Sequence, residues 1–150
     1  MSEVAVQRSM EELLEQAATS ALEIMCFLGV FGPALEFPAG ETCLSCRLGF
    51  HGHADGVLYL RISSPAASEI AANFLGIDSA DLSADETIAV FAEMVNMIGG
   101  AALSAWAPEG LFQLDTPEVL DFEFPEGPAC TLELECGFLS AALIVSRPPE

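Results

Sequence analysis

The sequence predicts an α+β domain in which an antiparallel sheet packs against helices. Three observations carry that prediction. Two Ser-x-x-Glu capping boxes each stand ahead of a long apolar run at helical spacing. Short β-like runs are joined by turn-rich segments, and no strand-helix-strand unit repeats along the chain.

The elements follow in order. Ser9 with Glu12 forms the first capping box, so a helix is predicted from there, with Leu13, Leu14, Ala17, Ala21, Ile24, Met25 and Leu28 on its apolar face. Gly29, Gly32 and Pro33 end it, and residues 33–41 read as a proline- and glycine-rich connection. From Thr42 to Ser63 the pattern becomes strand-like. Runs from Cys43 to Phe50 and from Gly56 to Ile62 flank the turn His51-Gly52-His53-Ala54-Asp55, which predicts a hairpin. Ser64 before Pro65 places a cap ahead of a first-turn proline, so a second helix is predicted through Ala66 to about Leu75, stopping at Gly76. Ser83 with Glu86 repeats the capping box and opens a third helix from about Ala84 to Trp106. Beyond Pro108, strands are predicted near Leu111 to Leu114, Cys130 to Cys136 and Phe138 to Ser146, the last two joined by a tight turn at Gly137. The whole reads as one domain over 1–150, with its core at about 8–147 and a loose tail at Arg147-Pro148-Pro149-Glu150.

Composition narrows the function classes. Hydrophobic residues make up 52% of the 150 and charged residues 18%, enough for a real core with apolar surface left over for a partner. Against 23 acidic side chains stand four arginines, Arg8, Arg47, Arg61 and Arg147, and no lysine, for a net charge of −19. Nucleic acid and anionic membrane both demand clustered cations, so neither is an expected partner. No run of about 20 apolar residues stands out as a membrane span, and Met-Ser-Glu-Val lacks a positive leader, so a cytoplasmic location is expected. The five cysteines fit reduced thiols used as small apolar side chains.

The third helix holds the candidate site. At about 100° per residue, Ile88, Phe91, Val95, Ile98 and Ala102 form a stripe about 80° wide, the expected core contact. Ala89, Glu93, Asn96 and Gly100 form a second stripe about 60° wide on the opposite side, so Glu93 and Asn96 project outward together. Their flanks, Val90, Ala92, Met97 and Leu103, are apolar, where an ordinary solvated face would carry several charges. Gly99 and Gly100 each cost about 1 kcal/mol of helix stability relative to alanine. Either the glycines let another surface approach Glu93 and Asn96 closely, or they serve tight packing within the fold or a homodimer.

At these residues the chain resembles the CheC/CheX phosphatases of bacterial chemotaxis, which share a fold with the flagellar switch protein FliY. The resemblance centres on Glu93-Met94-Val95-Asn96-Met97-Ile98-Gly99-Gly100, similar to the family's Glu-x-x-Asn helix followed by small residues. It extends to the glycine-bounded hairpin from Gly49 to Leu58 and to the closing strands, covering roughly residues 8–147. A single such helix is more like CheX, which carries one site per subunit and forms a homodimer. The resemblance implies hydrolysis of the aspartyl phosphate on a CheY-like response regulator. In that reaction Asn96 would orient the attacking water and Glu93 would pair with the receiver's lysine, with Ala89, Ala92, Met97 and Gly100 in the contact. It implies no cofactor of the chain's own and a Mg2+ held by the partner receiver. One departure stands out: the family often has an acidic or hydroxyl residue four positions before the glutamate, and this chain has Ala89. The alternative it leaves open is a non-catalytic receiver-binding or flagellar-switch module of the same fold.

Cys43, Cys46, His51 and His53 form a Cys-x-x-Cys followed by His-x-His, enough ligands by type for zinc. In a strand the two cysteines point to opposite faces while the histidines share one at a hairpin tip, so no metal site is assigned. No phosphate loop, nucleophile elbow or metalloprotease motif is present, and Cys26 and Cys136 have no general base in the pattern.

Overall fold

The structure, a computed structural model, describes residues 3–126 and 129–149. Three helices lie on one face of a seven-stranded sheet: α1 (Glu3–Ser20), α2 (Ser64–Leu75) and α3 (Ala84–Trp106). The strands are β1 (Val30–Pro33), β2 (Cys43–Gly52), β3 (Asp55–Ser63), β4 (Phe112–Leu114), β5 (Glu118–Val119), β6 (Ala129–Leu134) and β7 (Gly137–Arg147). Their order is β1-β6-β7-β3-β2-β4, with β5 also paired to β2, and every pairing is antiparallel. The α+β sandwich expected from the pattern is the fold observed.

Alternation along the strands decides which face meets the helices. Cys46, Leu48 and Phe50 of β2, Leu58, Leu60 and Ile62 of β3, and Leu139, Ala141 and Leu143 of β7 are all buried. From the helices, Leu14, Ala18 and Leu22 join Ile70 and Ala71 and then Phe91, Val95, Ile98 and Ala102 in the same core. Each large side chain so buried contributes about 1.5–3 kcal/mol relative to exposure. On the other sheet face, aromatic side chains from the connections provide cover: Tyr59 meets Phe122 edge-on, and the Arg61 guanidinium lies between the rings of Phe37 and Phe124 at 4.3 and 4.5 Å.

Several boundaries differ from expectation. The first helix begins at Glu3, so Ser9 sits inside it and its backbone is not a cap; its hydroxyl lies outside the described side chains. Ala5, Gln7 and Arg8 are good helix formers, and nothing between them and Ser9 stops the helix from extending upstream. At its other end the helix widens into a π-helical turn, Ala21–Met25. That turn breaks the 3.6-residue period: Leu22 and Cys26 are buried, whereas Ile24 and Met25, expected in the core, are 68% and 46% exposed. Asn73 Nδ2 donates to the Cys26 carbonyl at 3.0 Å and closes the end.

β1 lies in what read as the end of the helix and the start of a connection. Gly32 and Pro33 signal breaks, yet both suit an edge strand, where a missing N–H leaves no ladder bond unmade. β5 is two residues long, too short for any period to register. The cap of α2 is Ser63, one residue earlier than expected, and its hydroxyl makes no cap bond; Ser63 Oγ accepts from the Phe138 amide at 2.8 Å instead. Arg147, assigned to the tail, is the last residue of β7, and its Nε donates to Asp55 Oδ2 at 2.9 Å.

α3 is long and apolar enough, by length and composition, to cross a bilayer, which the sequence reading did not expect. Here its stripe from Phe91 to Ala102 is covered by the sheet and the neighbouring helices.

Candidate functional site

α3 is fixed at its start by the capping box its sequence announced. Glu86 N donates to Ser83 Oγ at 3.1 Å, and Ser83 N donates to Glu86 Oε1 at 2.9 Å. Hydrogen bonding to the carboxylate, from the Ser83 backbone amide first and the Ser83 side chain next, holds Glu86 below its ordinary range. Thr87 Oγ1 adds a bond to the Ser83 carbonyl at 3.2 Å. From that anchor the helix runs 23 residues to Trp106, packing on α1, α2 and β2.

The outward stripe stands where the wheel places it. Ala89 and Glu93 are exposed and Asn96 and Gly100 partly exposed, flanked by half-buried Ala92 and Met97. Val90 and Leu103, read as flanks, are buried, as are Met94 and Gly99. Ile88, assigned to the core stripe, is 39% exposed. It lies in the second turn beside Leu44, Ser64 and Ser68, where only a shallow cleft adjoins the helix.

Neither the Glu93 nor the Asn96 side chain makes a hydrogen bond or ion pair with another described residue. An amide with free donor and acceptor and a free carboxylate therefore stand one helical turn apart. The described arginine side chains are all committed on the sheet: Arg47 to Glu118 at 3.4 Å, Arg147 to Asp55, and Arg61 between its two phenylalanines. Among the described residues, no cation is left to pair with Glu93.

The two helix glycines, left open between two roles, divide between them. A Cβ on Gly99 would meet Leu48 Cδ2 at 2.9 Å and Leu58 Cδ2 at 3.3 Å, so Gly99 lets α3 settle on β2 and β3. A Cβ on Gly100 would meet nothing within 4 Å. No packing within the described fold requires that glycine.

Next to this face, α3 and the π-helical turn enclose an apolar groove of about 250 Å³ lined by Ala21, Ile24, Met25, Met97 and Ala101, among others. Of these only Met97 is expected in a contact from sequence; the helical period assigns Ala21, Ile24 and Met25 to the core face of the first helix.

The cysteine and histidine cluster is dispersed. Cys46 is buried in the core, its thiol pushed up to about 12 by desolvation, while Cys43 lies on the other face of β2. His51 Nε2 is 3.0 Å from Asp115 Oδ2, and the His53 ring packs edge-on against Phe112. Among the described residues no group of three or more His, Cys, Asp or Glu side chains is arranged to hold a metal.

Comparison with known proteins gives a consistent placement. The family model for chemotaxis phosphatase CheX matches residues 44–123, more than half of the chain. A chemotaxis protein CheX from Desulfovibrio desulfuricans superimposes with a TM-score of 0.71 at 18% identity, covering 91% of this chain and 99% of that one. The CheX of a CheX-CheY-BeF3-Mg2+ complex from Borrelia burgdorferi gives 0.66 at 17% identity, covering 89% and 96%. FliY from Thermotoga maritima gives 0.65 at 12% identity, covering 97% and 92%. No curated protein sequence matches the chain.

Proposed function

The chain belongs to the CheX family of chemotaxis phosphatases, and from that premise we propose that it hydrolyses the aspartyl phosphate of a CheY-like receiver domain, using Asn96 and Glu93. The observation that carries the proposal is the unengaged pair itself, a free amide and a free carboxylate one turn apart on an apolar, glycine-bearing face.

The chemistry asks little of the phosphatase. An acyl phosphate is already activated, and its loose transition state is served by a positioned water and by charge stabilisation. Asn96 orients that water, its carbonyl oxygen accepting one of the water's hydrogens and its amide N–H donating to the water oxygen, in line with the breaking bond. Glu93 receives the receiver's active-site lysine, which docks the helix and matches the lack of a free described cation on this chain. Mg2+ sits with the phosphoryl group on the receiver, so this chain contributes no metal ligand. Gly100 gives the receiver's backbone room to approach, and Ala89, Ala92 and Met97 complete a contact without charge of its own. That neutrality matters, because a surface of net charge −19 would otherwise repel an acidic receiver pocket. The reaction takes place in the cytoplasm, in a homodimer with one site per subunit.

Ala89 favours a second reading, a receiver-binding or switch module without catalysis, since it stands exposed where relatives often carry an acidic or hydroxyl side chain. Mixing the protein with each co-encoded receiver in its phosphorylated form separates the two. Faster loss of acyl phosphate supports the phosphatase; binding without acceleration supports the module.

A further inference from the structure

The groove beside Glu93 and Asn96 is unfilled by any described residue, and its chemistry differs from theirs. None of its walls is charged, and two of them, Ile24 at 68% and Met25 at 46%, are more exposed than apolar side chains of that size normally are. The π-helical turn produces this exposure. By widening the helix end it keeps Leu22 and Cys26 in the core and swings Ile24 and Met25 out over α3. Met97 and Ala101 form the opposite wall. They follow Glu93 by one and two helical turns and sit next to Asn96 and Gly100 in sequence, so the groove is continuous with the polar pair.

We infer that this groove is a second part of the receiver-docking surface and takes an apolar side chain that the receiver presents beside its phosphorylated aspartate, an inference that rests on the docking role proposed for α3. Continuity selects this occupant: a surface that brings a phosphoaspartate within reach of Asn96 also covers Met97 and Ala101. Charge selects it again. Two acidic partners gain little from electrostatic attraction, so affinity must come from apolar burial next to the single lysine contact. A second copy of this chain fits less well, because a two-fold contact across this face would set one Glu93 carboxylate near another.

The experiment uses a co-encoded CheY-type receiver activated with beryllofluoride and Mg2+ for binding, and the same receiver phosphorylated for turnover. Ile24→Asp places a charge on an already exposed side chain, and Ala101→Glu does so on the opposite wall. Each is expected to raise both Kd and KM about tenfold or more while kcat at saturating receiver holds. Wild-type affinity in both variants, with wild type itself active, overturns the groove and leaves Glu93 and Asn96 standing. Failure of wild type to bind or dephosphorylate any co-encoded receiver removes the phosphatase reading along with it. If Ile24→Asp alters self-association in sedimentation while receiver affinity is unchanged, the groove belongs to a second copy and the inference falls.

Discussion

Gly99 and Gly100 are adjacent on α3 and face opposite surroundings: a Cβ on the first would press on Leu48 and Leu58, and a Cβ on the second would stand in open space. One glycine serves the fold, and the other is free for a partner.

Gly100→Ala should therefore raise stability by about 0.5–1 kcal/mol, the helix-propensity gain with no steric cost. Gly99→Ala has the same propensity gain set against an overpacking cost of about 1–3 kcal/mol, as its methyl presses on Leu48 and Leu58, so its stability should fall by less than that cost. Urea unfolding of both variants checks the signs. Gly100→Ala should also bind a beryllofluoride-activated receiver more weakly than wild type despite its higher stability. Unchanged binding would remove Gly100 from the contact.

The capping box at Ser83 should be worth about 1 kcal/mol, so Ser83→Ala lowers the urea midpoint without changing the slope. Because α3 carries both site residues, fraying of its first turns should reach Ala89 before Glu93. Amide exchange along the helix would display that gradient.

Acid sensitivity follows from two carboxylates. Asp55 is held below its ordinary range by the Arg147 side chain first and by the Gly52 amide next, and Glu86 by Ser83. For a depressed folded pKa the stabilisation is fully present above the unfolded value and is lost as pH falls through the folded one. Thermal midpoints should thus decline from about pH 4 downward, and less steeply in an Asp55→Asn, Glu86→Gln double variant. Equal slopes would show that neither carboxylate contributes.

Burial raises the thiols of Cys26 and Cys46 to about 11 and 12. They are neutral at pH 8 and should resist alkylation in the native protein, then react at once in denaturant. Peptide mapping after a timed iodoacetamide pulse measures this directly.

Much of this molecule is legible in its sequence, and the gaps have physical causes. α3 was readable because 23 residues give its period many repeats and Ser83 and Glu86 mark its start. The hairpin of β2 and β3 was readable because alternation persists through eight paired positions. β1 was hidden by Gly32 and Pro33, which signal breaks in a helix and an edge in a sheet, and β5 by its length. The exposure of Ile24 and Met25 follows from a π-helical turn that a fixed 3.6-residue period does not represent. For the candidate site, the outward stripe of Glu93 and Asn96 was visible in spacing alone. The separate roles of Gly99 and Gly100 were not, since only the depth of the neighbouring strands distinguishes them.

The central claim is that Asn96 positions water while Glu93 docks. Its most direct test is the rate of acyl-phosphate loss from a co-encoded phosphorylated receiver, measured against receiver concentration for wild type, Asn96→Ala and Glu93→Ala. The account predicts that Asn96→Ala lowers kcat about 100-fold or more with little change in receiver affinity, within the range a positioning group supplies. It predicts that Glu93→Ala acts mainly by raising KM. Wild-type turnover in Asn96→Ala, with wild type itself accelerating the loss, would contradict it.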